Sequence, residues 1–147
     1  MELTFEPAGT DKEIKEIFGY NIDAFTDSPD FKWTLDELKK EVKEGWEVYS
    51  VKLENEVIAA IFMKREGSRL LTKNTAVAAH HQGSGYNHQI KDFFELKARE
   101  LKCKEVHHFC RIDNFRMYSL NESHGYRKLD KRVGKDGQVV EWIKSLK

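Results

Sequence analysis

The stretch Val77-Ala78-Ala79-His80-His81-Gln82-Gly83-Ser84-Gly85-Tyr86-Asn87 constrains the fold of this chain more than any other. It follows an apolar, extended run from Ser68 to Val77, and it opens an amphipathic helix that reaches about Cys103. A strand, a glycine-bearing turn and a helix start in that order create a place for phosphate. The turn lacks bulk, so its backbone N–H groups approach an anion closely, and the first helical turn adds unpaired donors and the positive end of the helix dipole.

The periods on either side give the architecture. Leu3 to Glu6 reads as a short strand, and Asp11 begins a helix whose apolar stripe is Ile14, Ile17, Phe18, Ile22 and Phe25. Thr26-Asp27-Ser28-Pro29-Asp30 breaks it, and Thr34 with Glu37 forms a capping box for a second helix with Leu35, Leu38 and Val42 inward and Gly45 at its end. From Trp46 the period becomes two. Glu47 to Leu53, Val57 to Lys64 and Ser68 to Val77 are three strands joined by hairpin-length turns, so this part is antiparallel. After the long helix, with Ile90, Phe93, Phe94, Ala98 and Leu101 on one side, come a strand at Glu105 to Ile112 and a short helix at Asn114 to His124. A hairpin of Tyr126 to Val133 and Val139 to Leu146 closes the chain. The expected fold is an α/β (α+β) domain with a mixed, mostly antiparallel sheet of about seven strands and four helices, in the order β-α-α-β-β-β-α-β-α-β-β.

At 147 residues one domain, 1–147, is the expectation. No apolar run approaches the length of a membrane span, and Met1-Glu2-Leu3-Thr4-Phe5-Glu6 has no signal-peptide pattern. Cys103 and Cys110 then read as free packing thiols of a reducing compartment, and the expected location is the cytoplasm. Net charge is zero, which gives no support for nucleic-acid binding. The charge is unevenly spread: residues 1–56 hold 7 Lys/Arg against 15 Asp/Glu, and residues 57–147 hold 18 against 10. Either these are solvated helix faces, or an anionic cofactor meets the basic half and a cationic acceptor the acidic one.

A P-loop string is absent, and His88 stands where a dinucleotide fingerprint needs its third glycine. Gln82, Gly85 and Asn87 instead resemble the Gln/Arg-x-x-Gly-x-Gly/Ala acyl-CoA motif of the GNAT superfamily of N-acetyltransferases, with Asn87 departing at the last place. The segment Asn114-Phe-Arg-Met-Tyr-Ser-Leu-Asn121-Glu-Ser-His-Gly125-Tyr126 is similar to that family's Asn-helix-Gly-Phe segment. The resemblance covers nearly the whole chain. It implies acetyl-CoA as acyl donor, with Ala76, Val77 and Ala79 along the pantetheine arm. It places the N–H groups of Gln82, Gly83, Ser84, Gly85, Tyr86 and Asn87 on the pyrophosphate, Asn114 near the pantetheine or adenosine, and the thioester between splayed fourth and fifth strands.

Acyl transfer to an amine needs a proton acceptor. An alkyl ammonium with pKa near 10.4 is neutral in only about one part in two thousand at pH 7, and recovering that fraction is worth about 4–5 kcal/mol. Some members of the family carry a Glu base where this chain has Phe109, which is instead expected to line the acceptor site. His107 shares its strand face and is the candidate base, with a core histidine as the alternative, while His108 faces helix packing. Family members often supply an acid as a Tyr where this chain has Asn121, whose amide offers sulfur only a weak hydrogen bond. Tyr118, one turn earlier, is the substitute acid or a packing residue. No His/Cys/Asp spacing fits a zinc site, so no metal is expected. Asp23, Asp27 and Asp30 with Phe31 and Trp33 suit a cationic small-molecule, peptide or protein amine. The C-terminal edge strands give a reason to expect a homodimer. The rival reading is an acyl-CoA-binding module with weak or no catalysis, favoured by Phe109 and Asn121.

Overall fold

The computed structural model describes residues 2–19, 35–74, 85–112, 115–133 and 137–146. Seven strands and four helices occur among them: β1 (Thr4–Pro7), α1 (Asp11–Gly19), α2 (Leu35–Lys43), β2 (Glu47–Leu53), β3 (Glu56–Glu66), β4 (Arg69–Asn74), α3 (Tyr86–Glu100), β5 (Glu105–Arg111), α4 (Phe115–Ser123), β6 (Arg127–Val133) and β7 (Val139–Ser145). The strands form one sheet in the order β1-β2-β3-β4-β5-β7-β6. Every neighbouring pair is antiparallel except β4 and β5. This is the element order and the mixed sheet that the periods imply.

Both faces of the sheet are covered, which is why β3 is buried from Val57 to Met63. On one face Val51, Ile58, Ile61, Leu70, Val106, Cys110, Val140 and Trp142 pack with Ile90, Phe94 and Ala98 of α3 and Met117 of α4. On the other, Val48, Val57, Ala60 and Phe62 pack with Ile14 and Ile17 of α1 and Leu38 of α2. The β4–β5 pair therefore has α3 on one side and the α1–α2 layer on the other.

The helix ends differ in detail from the expected ones. A capping box does start α1, at Thr10: its hydroxyl and N–H both donate to Glu13 Oε1, at 2.8 and 3.1 Å, and Glu13 N–H donates back to Thr10 Oγ1 at 3.2 Å. These bonds hold the Glu13 carboxyl below its ordinary range. The box expected at Thr34 and Glu37 lies outside the described residues. Helix α3 stops at Glu100 rather than Cys103, because Lys102 takes a left-handed φ of 58° and Cys103 N–H closes onto Ala98 O at 2.8 Å. Leu101 is thereby turned outward at 36% exposure, while Cys103 is buried.

Candidate active site

The parallel pairing of β4 and β5 runs from Arg69 opposite Glu105 to Thr72 opposite His108, and ends there. Beyond it β4 stays with β3, through Lys73 and Asn74, while β5 stays with β7, through Phe109, Cys110 and Arg111. Past Thr72 and His108 the two strands share no ladder, which leaves a gap in the pairing in the middle of the sheet. Helix α3 starts from the same side in sequence. Its N-cap, Gly85, has φ 80° and no side-chain cap, so the first-turn amides are not capped by that residue. A Cβ on Gly85 would meet nothing within 4 Å. The glycine is there for the left-handed φ rather than for space.

On the α1–α2 side of the gap lies a run of buried charge. The His107 ring, 3% exposed as a residue, stands between two carboxylates. Its Nδ1 is 2.6 Å from Glu141 Oε2 on β7, and its Nε2 is 3.0 Å from Glu105 Oε1. Both contacts are hydrogen bonds with ionised carboxylates only when both ring nitrogens carry hydrogen. Glu141 is the register partner of Phe109, the first β5 residue past the parallel pairing. On the opposite bank, the Lys73 ammonium lies 2.6 Å from Glu41 Oε1 of α2 and 4.2 Å from the centre of the Trp46 ring.

On the α3 side, Thr72 and His108 meet. The Thr72 hydroxyl donates to His107 O at 2.7 Å, so its contact with His108 Nδ1 at 3.2 Å uses Nδ1–H as the donor. Burial first, and then the charge of Lys91, hold His108 well below its ordinary pKa, so it is neutral, with Nε2 as the lone-pair nitrogen. That Nε2 has no partner among the described residues. Neither do both amide atoms of the fully buried Asn121, the Tyr126 hydroxyl and the Trp142 N–H. Lys91 Nζ sits 4.6 Å from the centre of the Tyr126 ring, and burial raises the Tyr126 pKa. A layer of polar atoms between α3, α4 and the sheet that stays dry and unpaired is costly, about 1–3 kcal/mol for each group. Such a layer suits a ligand or water that reaches it.

No protein-family model matches the sequence, and no curated protein matches it. Solved structures do match its shape. The ribosomal-protein-S18-alanine N-acetyltransferase from Escherichia coli superposes with a TM-score of 0.77 at 14% identity, over 98% of this chain and 94% of that one. A GNAT family acetyltransferase from Elizabethkingia anophelis with acetyl-CoA bound gives 0.70 at 21% identity, over 98% of both chains. The spermidine N-acetyltransferase from Vibrio cholerae, a dodecamer, gives 0.72 at 15% identity, over 97% of this chain and 93% of that one. The chain has the GNAT acetyltransferase fold.

Within this GNAT fold the sequence-derived candidates fall into three groups. His107 and Phe109 come together on the α1–α2 side of the gap, beside Glu141. Asn121 is buried on the α3 side, and Tyr118 stands beside it on α4, its hydroxyl donating to Ile112 O at 3.0 Å and its ring edge-on to Trp142 at 5.3 Å. Gly85, Tyr86 and Asn87 begin α3 as expected. Ala76, Val77, Ala79, Gln82, Gly83, Ser84 and Asn114 lie outside the described residues, as do Asp23, Asp27, Asp30, Phe31 and Trp33. Sequence reading sought a base on the fifth strand around Phe109 and so missed Glu141 on β7; it also passed over Glu105, at the start of that same strand, and the Lys73–Glu41 pair. The signal for Glu141 was its place in Val139-Val140-Glu141-Trp142-Ile143, a lone charge inside an apolar run. Among the described residues no group of His, Cys, Asp or Glu is arranged to hold a metal ion, and no helix is long and apolar enough to cross a membrane.

Proposed function

We propose that the chain is an acetyl-CoA-dependent N-acetyltransferase that moves the acetyl group directly from the thioester to a primary amine. The observation that carries this reading is the β4–β5 gap, with buried charge on one side of it and buried unpaired polar atoms on the other. Acetyl-CoA enters from the start of α3, with its pyrophosphate on the turn from Gln82 to Asn87 and its pantetheine along Ala76, Val77 and Ala79 beside Asn114. The thioester then lies where the strands part. The acceptor approaches from the α1–α2 side, past Phe109 and the acidic and aromatic residues Asp23, Asp27, Asp30, Phe31 and Trp33. The acceptor is a small-molecule amine or an amine of a peptide or protein, and the reaction runs in a reducing cytoplasm, which suits Cys103 and Cys110 as buried thiols outside any disulfide.

The chemistry follows from the groups present. The ammonium must lose a proton before its nitrogen can attack, and the His107 assembly supplies basic carboxylate oxygen on the acceptor side. Attack forms the C–N bond, and collapse of the tetrahedral intermediate breaks C–S. The thiolate leaves with the electron pair, and with a thiol pKa near 8.5 it needs little help. That ease of departure fits Asn121, an amide that can donate a hydrogen bond to sulfur but cannot protonate it. Tyr118 stands one turn away as a further hydroxyl donor, its hydroxyl bonded to Ile112 O.

A panel of amines with acetyl-CoA, followed by free-thiol release and by calorimetry of CoA binding, tests the reading. Amine-stimulated release supports the transferase. Tight binding without stimulated release supports an acyl-CoA-binding module, the reading that the residues Phe109 and Asn121 favour. No binding rejects both.

A further inference from the structure

We propose that Glu141, carried by β7, is the catalytic base that takes the proton from the acceptor ammonium, and that His107 is the residue that positions it. The proposal rests on the acetyl-transfer reading above and names the atom that performs one of its steps.

Three observations place Glu141 in that role. It is the register partner of Phe109, so it lies one strand, about 4.8 Å, from the bank of the gap, and on the face that looks toward α1 and α2. Its side chain is 11% exposed, so it is shielded from bulk water yet reachable from the gap. The ring of His107 holds its Oε2 at 2.6 Å, which fixes the carboxylate's orientation. The same ring faces Glu105 Oε1 at 3.0 Å with its other nitrogen. With both ring nitrogens engaged by carboxylates, His107 has no nitrogen left for a substrate, and the basic atom passes to Glu141. The other buried carboxylate near the gap, Glu41, is already held 2.6 Å from the Lys73 ammonium.

In the step itself, an N–H bond of the acceptor ammonium breaks and its proton goes to a carboxylate oxygen of Glu141. The freed lone pair forms the C–N bond with the thioester carbon, the C–S bond breaks, and the pair departs on sulfur. The second nitrogen proton goes to the thiolate, giving the free thiol. When the amide product leaves, the Glu141 proton goes to water and the carboxylate is restored. Charged groups on this sheet face and its cover, among the described residues, include Glu105 and His107 on β5, Lys73 and Arg69 on β4, Lys52 on β2 with Glu16 of α1, Glu41 on α2 and Arg127 on β6, the register partner of Ile143.

The test uses the full chain with acetyl-CoA and the best amine of the panel, read as pH profiles of kcat/KM. Glu141→Gln keeps the shape and removes the basicity. Its expected kcat is roughly 10²–10³-fold lower, without the acid limb of the profile and with CoA affinity unchanged. Glu141→Asp keeps a carboxylate and restores the limb at reduced kcat. His107→Asn keeps the limb but moves it to higher pH, because a neutral amide, a weaker donor to the carboxylate, replaces the ring. Glu141→Gln turning over with the parental acid limb overturns the proposal, and so does His107→Asn losing that limb altogether. If Glu141→Gln fails to bind CoA, Glu141→Asp and His107→Asn decide on the same criteria. A parent chain that binds acetyl-CoA and releases no thiol with any amine rejects the transfer reading itself, and this proposal with it.

Discussion

Removing Glu41 while leaving Lys73 in place tests whether buried charge braces the edge of the gap. The Lys73 side chain is 5% exposed, and its ammonium lies 2.6 Å from Glu41 Oε1. Two aromatic rings also lie near it, Trp46 at 4.2 Å and Phe62 at 5.6 Å. Breaking a buried pair from one side costs about 3–5 kcal/mol, because an ammonium shielded from water loses its counter-charge. The ring faces still attract it, by about 0.5–2 kcal/mol. The balance for Glu41→Ala is a loss of about 3 kcal/mol. At about 2–4 °C for each kcal/mol in a chain of this size, Tm falls by roughly 6–12 °C. Replacing both groups, as Glu41→Leu with Lys73→Met, removes both buried charges and keeps the volume, so the double variant should sit within about 1 kcal/mol of the parent. Urea unfolding of the parent, both single variants and the double variant gives the coupling directly. A Glu41→Ala loss under about 0.5 kcal/mol, or a double variant as unstable as the singles, would refute the reasoning.

Other outcomes follow from the same geometry. His108 is held well below its ordinary pKa, so the unfolded chain binds more protons than the folded one once pH drops below about 6.5. Stability is therefore full above that pH and declines as pH falls toward the folded value, with a slope approaching about 1.4 kcal/mol per unit. Urea midpoints at pH 7.5, 6.5 and 5.5 should show this, and His108→Gln should flatten the slope; an unchanged slope counts against it. Asn121→Leu removes an amide with no partner among the described residues, so the empty protein should change by less than about 1 kcal/mol or gain stability, while turnover drops. A loss above about 2 kcal/mol in urea would make that amide structural. Phe94 is fully buried against the sheet, and Phe94→Ala should cost about 3–5 kcal/mol in a thermal melt.

The element order was legible because each element carries its own period. The stripe Ile14 and Ile17, the alternation through β2 to β5, and the apolar run of α3 all emerged where they were expected. So did the opposite orientations of His107 and His108, since strand alternation alone separates adjacent side chains. Helix ends were less legible. Thr10 and Glu13 carried the same pattern as Thr34 and Glu37, and the sequence reading marked only the later pair. The end of α3 depended on Lys102 adopting a conformation that its residue type does not advertise.

The acceptor side of the site was the least legible part. Glu141 is 34 residues from His107, and Glu41 is 32 from Lys73. No local period encodes such meetings; they arise from β7 inserting between β5 and β6, and from α2 folding over β4. A reading confined to the fifth strand finds His107 and sees Phe109 where a carboxylate is often placed. The carboxylate arrives from the neighbouring strand. The buried amide of Asn121, by contrast, followed from helix spacing within one segment.

The most direct measurement is amide resonance mapping of the isotope-labelled chain titrated with acetyl-CoA. The account predicts saturable shifts centred on Gly85, Tyr86 and Asn87 at the start of α3 and on Lys73, Phe109 and Cys110 at the lips of the gap, with β1 and the β2–β3 turn unmoved. Saturable shifts confined to β1, β2 or the edge strand β6, or none at millimolar acetyl-CoA, would contradict it.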